Sequence, residues 1–398
     1  MRRAFTIIAI ILVIIGIGAA VYFYFFANKA SVTVAPTGSV SLPVAGQGVF
    51  PLGNENLATT TNIATLVASR LVKISAGPVV PGEVVVDIPA ANASSSLEIA
   101  VNYIERQSGN VFAYHVRTGT LTRTNNKTVP GIESAAWLPD ASFAFVRYLS
   151  GADFSTINTY ALPSNGSGGF FLPQNLADIA VSSTSVLTLA SGVNGSAASI
   201  EHPDGTHVSE AFTVPLSALR VSFAGNARYL AYTKPTVTLV GDAFIVDSKG
   251  HFFRVAGPLH GLVALSSPSG KWVLISYTLD TAMRMELVNT ETGDRITLPV
   301  ATIADKCVWT ADDSAVYCGI PVSPSSDYAY PDDWYQGAAH FSDRVWKINV
   351  VDRQAQLVLD FPKETKDLLD AEALAIDPLN TTLVFINKND GSLWSYSL

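Results

Sequence analysis

A strand–turn–strand unit recurs through most of the 398-residue sequence and limits the folds that the chain can adopt. Its clearest copy is SAAWLPDASFAFVRY at residues 134–148, where two apolar segments flank a polar turn. Seven turns of this kind align, at Pro89, Pro139, Ser183, Gly225, Pro268, Ala311 and Pro378. Successive turns are 50, 44, 42, 43, 43 and 67 residues apart. A period near 43 residues matches one four-stranded propeller blade of roughly 40–45 residues.

The two strands of each unit are apolar almost throughout, which is expected when both faces of a sheet are covered by neighbouring sheets. A third strand and a fourth, edge strand follow in the first six units. The seventh unit has no fourth strand, whereas residues 70–75 (RLVKIS) form a spare strand before the first unit. We therefore predict an all-β, seven-bladed β-propeller over residues 70–398, closed by the strand at 70–75. A six-bladed ring is the alternative, if the degenerate unit at Ser183 is something else.

The repeated units resemble the hairpins of TolB-like and WD40-like β-propellers. The segments that carry the resemblance are AAWLPDASFAFVRY, ALSSPSGKWVLISY and VWTADDSAVYCGI. No unit has the Gly-His and Trp-Asp signature of true WD40 repeats, so the resemblance implies the architecture only. It implies no activity, because propellers carry many unrelated functions.

The first 30 residues have the pattern of a membrane anchor. Arg2 and Arg3 precede a nearly unbroken apolar run at residues 4–27, and roughly 20 apolar residues suffice to span a bilayer. The run exceeds the about 7–15 apolar residues of a cleavable signal peptide, and no small-x-small cleavage motif follows it. We predict an uncleaved single-pass signal-anchor with a cytoplasmic N-terminus and an extracytoplasmic propeller. Residues 31–69, rich in Ser, Thr, Val, Pro and Gly, are predicted to be a flexible linker.

The two cysteines, Cys307 and Cys318, lie on either side of the Asp312-Asp313 turn of the sixth hairpin. In a regular hairpin they would face each other on paired strands, close enough to bridge. We predict a structural disulfide, with two buried thiols as the alternative. An isolated pair lacks the C-x-x-C or clustered-His spacing of redox and metal sites. We therefore assign no metal site and no cofactor.

The interval of 67 residues before the last unit contains about 24 extra residues, mostly between 319 and 344. Aromatic residues beside carboxylates on a long loop suit recognition of a protein partner or a sugar-like ligand. The predicted binding residues are Tyr328, Tyr330, Asp332, Asp333, Trp334, Tyr335 and Phe341. The alternative is that these rings pack as a lid over the blade.

The composition and the motifs narrow the possible functions. A net charge of −8 leaves no basic surplus to neutralise phosphates, which argues against nucleic-acid binding. The sequence has no G-x-S-x-G, H-E-x-x-H or Walker A motif, and we assign no catalytic residue. We expect a membrane-tethered binding or scaffolding module of the cell envelope, with a protein or glycan partner. The alternative is an extracytoplasmic hydrolase or lyase acting on glycans or peptides, with carboxylates such as Asp87, Asp178 and Asp305 at the channel mouth.

Overall fold

The structure, a computed structural model, describes residues 69–88, 97–127, 129 and 131–398. These residues form seven four-stranded antiparallel sheets. The strands of the first three sheets are β2 (Val84–Ile88), β3 (Glu98–Ile104), β4 (Val111–His115), β5 (Thr120–Asn125), β6 (Ile132–Trp137), β7 (Phe143–Ser150), β8 (Thr156–Pro163), β9 (Phe170–Phe171), β10 (Leu176–Val181), β11 (Val186–Gly192), β12 (Gly195–Glu201) and β13 (Ser209–Val214).

The next two sheets contain β14 (Leu219–Phe223), β15 (Tyr229–Thr233), β16 (Val240–Val246), β17 (Phe252–His260), β18 (Val263–Ser266), β19 (Trp272–Leu279), β20 (Ala282–Asn289) and β21 (Arg295–Thr297). The last two contain β22 (Cys307–Trp309), β23 (Ala315–Pro321), β24 (Asp343–Asn349), β25 (Ala355–Leu359), β26 (Ala371–Ile376), β27 (Thr382–Asn387), β28 (Ser392–Ser397) and β1 (Leu71–Lys73). Three single turns of helix complete the described elements: a 3-10 turn at Ala304–Lys306, α1 at Asp332–Tyr335 and α2 at Phe361–Glu364.

Each sheet is one blade of a ring, and the first strand of each blade lies innermost. The inner strands β6, β10, β14 and β18 contact each other in succession, β18 contacts the 3-10 turn before β22, β22 contacts β26, and β26 of the seventh blade returns to β2 of the first. The first two blades are also joined by a hydrogen bond of 2.9 Å from Ala135 N to Pro81 O. Gly82 lies in the same junction with φ +102°, where a Cβ atom would come within 1.9 Å of Ala135 O. Only glycine fits this approach of two backbones.

The seventh blade is completed from the other end of the described chain. Strand β1 pairs antiparallel with β28, with Leu71 opposite Tyr396 and Lys73 opposite Trp394. The Arg70 guanidinium adds a hydrogen bond of 2.9 Å from Nε to Ser397 O. The ring therefore has seven blades, which confirms the sequence prediction, and the six-bladed alternative is wrong.

The hydrophobic core lies between the blades. Every residue of the second strands β23 and β27 is buried, whereas five of the six residues of the edge strand β5 are exposed. Burial along the whole second strand is the reason that these segments are apolar throughout instead of alternating.

The predicted membrane anchor, and the predicted linker up to residue 68, lie outside the described residues. Within the part of the chain that the structure describes, no helix is long and apolar enough to cross a membrane. The described chain begins beside the β26–β27 turn, because Ser397 N donates to Arg70 O and Leu398 N donates to Thr381 O. This turn is at the end of the ring opposite the connections that lead into the inner strands. We call the latter end the insertion face, because residues 322–342 lie there, between β23 and β24.

Candidate functional site

The 21 residues between β23 and β24, positions 322–342, fold against the neighbouring blades and are here called the insertion. Two hydrogen bonds fasten it to the fourth and fifth blades. Asp332 Oδ2 accepts 2.7 Å from Val237 N in the β15–β16 connection, and Thr278 Oγ1 donates to Tyr330 O at 2.6 Å. The insertion of the sixth blade therefore extends over the fifth and fourth blades.

The insertion approaches the backbone between β17 and β18 most closely at Gly261. A Cβ atom at this position would lie 2.9 Å from both Tyr330 O and Pro331 Cδ. Gly261 also has φ +62°, a left-handed conformation that larger residues adopt less readily. The absence of a side chain here allows the insertion to dock.

Three of the predicted binding residues are covered by the fold. Tyr330, Trp334 and Phe341 are only 3%, 3% and 5% exposed. Their rings pack together, with centroids 5.2 Å apart for Tyr330 and Phe341 and 6.4 Å apart for Trp334 and Phe341. A molecule arriving from solvent cannot reach these three rings in this structure. Tyr328 is 39% exposed and Tyr335 is half-buried.

The two adjacent carboxylates of the insertion bind backbone groups. Asp332 holds the insertion to Val237, as described above. Asp333 Oδ2 accepts 2.7 Å from Ala329 N, just before α1. Both carboxylates therefore satisfy backbone N–H groups that lie outside α1, one in another blade and one in the insertion itself.

A fully buried ionic cluster lies beneath the insertion. Lys306, at the end of the 3-10 turn before β22, has no solvent exposure, and neither do Asp343 and Asp370. Lys306 Nζ donates to Asp370 Oδ1 and lies 2.8 Å from Asp343 Oδ2. It also donates to Ala371 O at 2.8 Å. The ammonium group therefore contacts three acceptors away from water, as a buried charge requires.

Aromatic rings enclose this cluster. Lys306 Nζ is 4.9 Å from the centre of the Trp334 ring and 5.0 Å from that of Phe341. Asp370 Oδ2 accepts from Trp334 Nε1 at 3.1 Å and from Phe341 N at 2.9 Å. Asp343 Oδ2 accepts from Ala371 N at 2.7 Å, whereas Asp343 Oδ1 has no hydrogen-bond partner among the described residues. Burial raises the pKa of Asp343 to about 6, against the opposing charge of Lys306.

A second charged cluster joins the insertion to the inner strands. Arg220 Nη1 donates to Asp305 Oδ2 at 2.7 Å, and Tyr335 donates its hydroxyl to the same oxygen at 2.7 Å. Asp178 Oδ2 accepts from Val221 N at 2.8 Å. Burial raises the pKa of the Asp178 carboxyl and, together with the charge of Asp305, that of the Tyr335 hydroxyl.

The three carboxylates proposed for an enzyme active site are only partly brought together. Asp178 and Asp305 both interact with Arg220. Asp87 lies near the far end of β2, where burial and the neighbouring charge of Asp377 raise its pKa. The structure thus places Asp87 with Asp377, apart from the Arg220 cluster.

An exposed cleft separates the outer side of the insertion from the fourth and fifth blades. Its volume is about 440 Å³. The ionisable and aromatic side chains on its wall are Tyr328 and Asp327 in the insertion, His260 at the end of β17 and Asp280 in the β19–β20 turn. All four side chains are exposed. His260 Nδ1 lies 2.8 Å from Val237 O, which fixes the plane of the imidazole.

Cys307 and Cys318 form a disulfide with a Cα–Cα distance of 4.1 Å. They are directly opposite each other in the β22–β23 register. The bridge therefore lies next to Lys306, within the same blade as the insertion. In the described ranges, no three His, Cys, Asp or Glu side chains are placed to hold a metal ion together.

Comparison with known proteins gives the fold. No protein-family model and no curated protein matches the chain. An oligogalacturonate lyase in complex with manganese superimposes with a TM-score of 0.52 at 9% identity, over 76% of this chain and 86% of that one. The hydrazine synthase of Kuenenia stuttgartiensis gives 0.50 at 13% identity, covering 80% and 96%. A chain of the mitotic checkpoint complex gives 0.50 at 11%, covering 88% and 99%.

The protein is a seven-bladed β-propeller. Identities this low carry the architecture and no function, because propellers host many unrelated activities. The functional argument for this propeller therefore depends on its own side chains.

The residues that sequence reasoning missed are Lys306, Asp370 and Arg220. Each lies in or next to an apolar segment that begins an inner strand. For Arg220 and Lys306 the available signal was the position five residues before each turn, which is charged in three of the repeats, at Asp178, Arg220 and Lys306. Their partners could not be named, because they lie on other blades.

Proposed function

We propose that this propeller is a binding module that a membrane anchor holds at the outer side of a membrane, and that it binds its partner in the cleft beside the insertion. The observation that carries the proposal is the exposed cleft of about 440 Å³ between the insertion and two other blades. Most of the repeats have short connections, so a long ordered insertion that encloses a cleft is the feature that distinguishes this ring.

The wall of the cleft suits a hydroxyl-rich glycan or a polar segment of a protein. Asp280 and Asp327 offer carboxylate oxygens as hydrogen-bond acceptors, His260 offers an imidazole, and Tyr328 offers an aromatic face. Ligand sites commonly combine aromatic surface with a few converging polar groups. We infer an envelope protein or glycan as the partner.

The tether is inferred from the apolar run at residues 4–27 and the preceding Arg2 and Arg3. The described chain begins at the end of the ring opposite the insertion face, next to Thr381.

The binding proposal is tested with the propeller, residues 69–398, immobilised and presented with a glycan array and with solubilised envelope proteins. Tyr328→Ala should weaken capture at least about tenfold, because an aromatic side chain at the centre of a site contributes on the order of 1.4 kcal/mol or more. The matched control is Phe253→Ala, which removes an aromatic side chain that is 57% exposed near the other end of β17. Equal binding by wild type, Tyr328→Ala and a variant lacking the insertion would contradict the proposal.

The tether is tested separately with the full chain. We expect it to remain in the membrane fraction after an alkaline carbonate wash, and we expect protease added outside the membrane to digest the propeller. Release by carbonate, or a propeller that is protected until the membrane is opened, would show that the anchor or its orientation is wrong.

A further inference from the structure

The cluster of Lys306, Asp343 and Asp370 contains one carboxyl more than an ion pair requires. All three side chains are completely buried. If all three were ionised, one negative charge would remain uncompensated inside the protein, which is strongly unfavourable. Formation of an amide requires an amine and a carboxyl in contact with each other, and the cluster supplies both. Its second carboxyl contacts the same nitrogen and can transfer protons.

We propose that Lys306 and Asp370 react with each other to form an intramolecular isopeptide bond, with Asp343 as the proton-transferring catalytic residue. The geometry supplies each component. Lys306 Nζ contacts Asp370 Oδ1, and Asp343 Oδ2 lies 2.8 Å from the same nitrogen.

The other oxygen of Asp370 is held for the reaction. Its Oδ2 accepts from Trp334 Nε1 at 3.1 Å and from Phe341 N at 2.9 Å. Two N–H donors stabilise the negative charge that develops on this oxygen when a nucleophile attacks Cγ, as in an oxyanion hole. The aromatic rings of Trp334 and Phe341 exclude water, which would otherwise favour hydrolysis.

The reaction needs no reagent from outside. Transfer of one proton from the Lys306 ammonium to Asp370 Oδ1 leaves a neutral amine whose lone pair is directed at that carboxyl. The amine attacks Asp370 Cγ, and a C–N bond forms while the neutral carboxyl of Asp343 accepts a second proton from nitrogen on one oxygen and releases its own proton from the other. The released proton goes to the departing oxygen, the C–O bond breaks and one water molecule leaves. An ammonium and a carboxylate are thereby converted into an amide and water, and Asp343 is regenerated.

Asp343 is suited to this role because burial raises its pKa, so that it exchanges a proton readily near neutral pH. Its Oδ2 is oriented by Ala371 N at 2.7 Å. The bond would link the residues that lead into the inner strands of the sixth and seventh blades. The seventh blade is the one whose fourth strand comes from the start of the described chain, and the bond would fasten it covalently to its neighbour.

Peptide mapping of the purified full chain tests the proposal. After reduction and complete digestion with trypsin, the bond joins peptide 296–344, uncleaved at Lys306, to peptide 367–388. The expected product is lighter than the two peptides together by one water molecule. Separate peptides, with cleavage after Lys306, would overturn the proposal and leave a buried ion pair.

Two variants distinguish the chemistry from the fold. Lys306→Arg retains the cation but cannot form the amide, so the joined peptide should disappear. Asp343→Asn retains the shape of the side chain and should slow bond formation after synthesis of the chain about 100-fold, the usual effect of removing a general acid–base group. The Cys307–Cys318 disulfide, recovered in the unreduced digest, shows that the β22–β23 hairpin beside Lys306 has formed in each variant. Cross-linking of Asp343→Asn at the wild-type rate would overturn the role of Asp343.

Discussion

Glu83 shows how one residue can make the stability of the ring depend on pH. It lies just before the innermost strand of the first blade and is 9% exposed. Neither of its carboxylate oxygens has a hydrogen-bond partner among the described residues. Burial, with the charge of Glu372 adding to it, raises the pKa of Glu83 well above its ordinary value.

The sign of the pH dependence follows from this raised pKa. A carboxyl whose pKa is higher in the folded state stabilises the fold below its unfolded pKa of about 4.3, and this contribution is lost as the pH rises through the folded pKa. We expect Glu83→Gln to have a higher melting temperature than wild type at pH 8 and a smaller decrease in melting temperature between pH 5 and pH 8. The exposed Glu210→Gln is the control and should follow wild type. Parallel wild-type and Glu83→Gln curves would contradict the expectation.

At the scale of elements, a disulfide joins the two strands of the β22–β23 hairpin, and the insertion follows directly after β23. Cys307 pairs with Cys318 across the two strands, at a separation of 11 residues. Because it closes so short a loop in the unfolded chain, the disulfide adds at most about 3 kcal/mol to the free energy of unfolding. The disulfide is therefore a local fastening of one hairpin and not the main source of stability of the ring.

Replacing both cysteines by alanine should lower the free energy of unfolding by no more than about 3 kcal/mol, measured by urea denaturation. Wild type that has been reduced before unfolding is the matched control and should lose a similar amount. A variant that fails to fold at all would show that the bridge is needed to form the hairpin.

At the scale of the whole molecule, closure depends on a strand of three residues. Strand β1 supplies the outer edge of the seventh blade, and its flanking residues add contacts to β28: Ile74 N donates to Leu393 O at 2.8 Å, and Ser75 Oγ accepts from Leu393 N at 2.8 Å. Without β1, β28 would become an open edge, a common route to association between sheets.

We expect a protein beginning at residue 76 to be less stable than one beginning at residue 69, by at least about 3 kcal/mol, since several hydrogen bonds of about 1 kcal/mol each are lost. Size-exclusion chromatography with light scattering should show dimers or larger species for the shorter protein only. If the shorter protein is a monomer with unchanged stability, the ring does not need β1 for closure.

The sequence by itself determined the blades, because a hairpin is a local object. Its strands are adjacent in the chain, its turn residues are readable, and a repeat of about 43 residues predicts a four-stranded unit. The same locality placed Cys307 opposite Cys318. The position of the insertion was also predictable, from one interval that is too long for a blade.

Only the tertiary structure decided which side chains meet and which are covered. Lys306 and Asp370 are 64 residues apart, which is not a multiple of the repeat of about 43. Arg220 and Asp305 are 85 apart, close to two repeats, but a repeat does not show that side chains from blades that are not adjacent in the sequence will meet. The aromatic residues of the insertion suggested a binding surface, yet Tyr330, Trp334 and Phe341 are buried against the ring, and Tyr328 is left in an exposed cleft. The physical reason is that periodicity sets the strands of each blade, whereas the packing of one blade against the next sets burial, charge pairing and access to solvent.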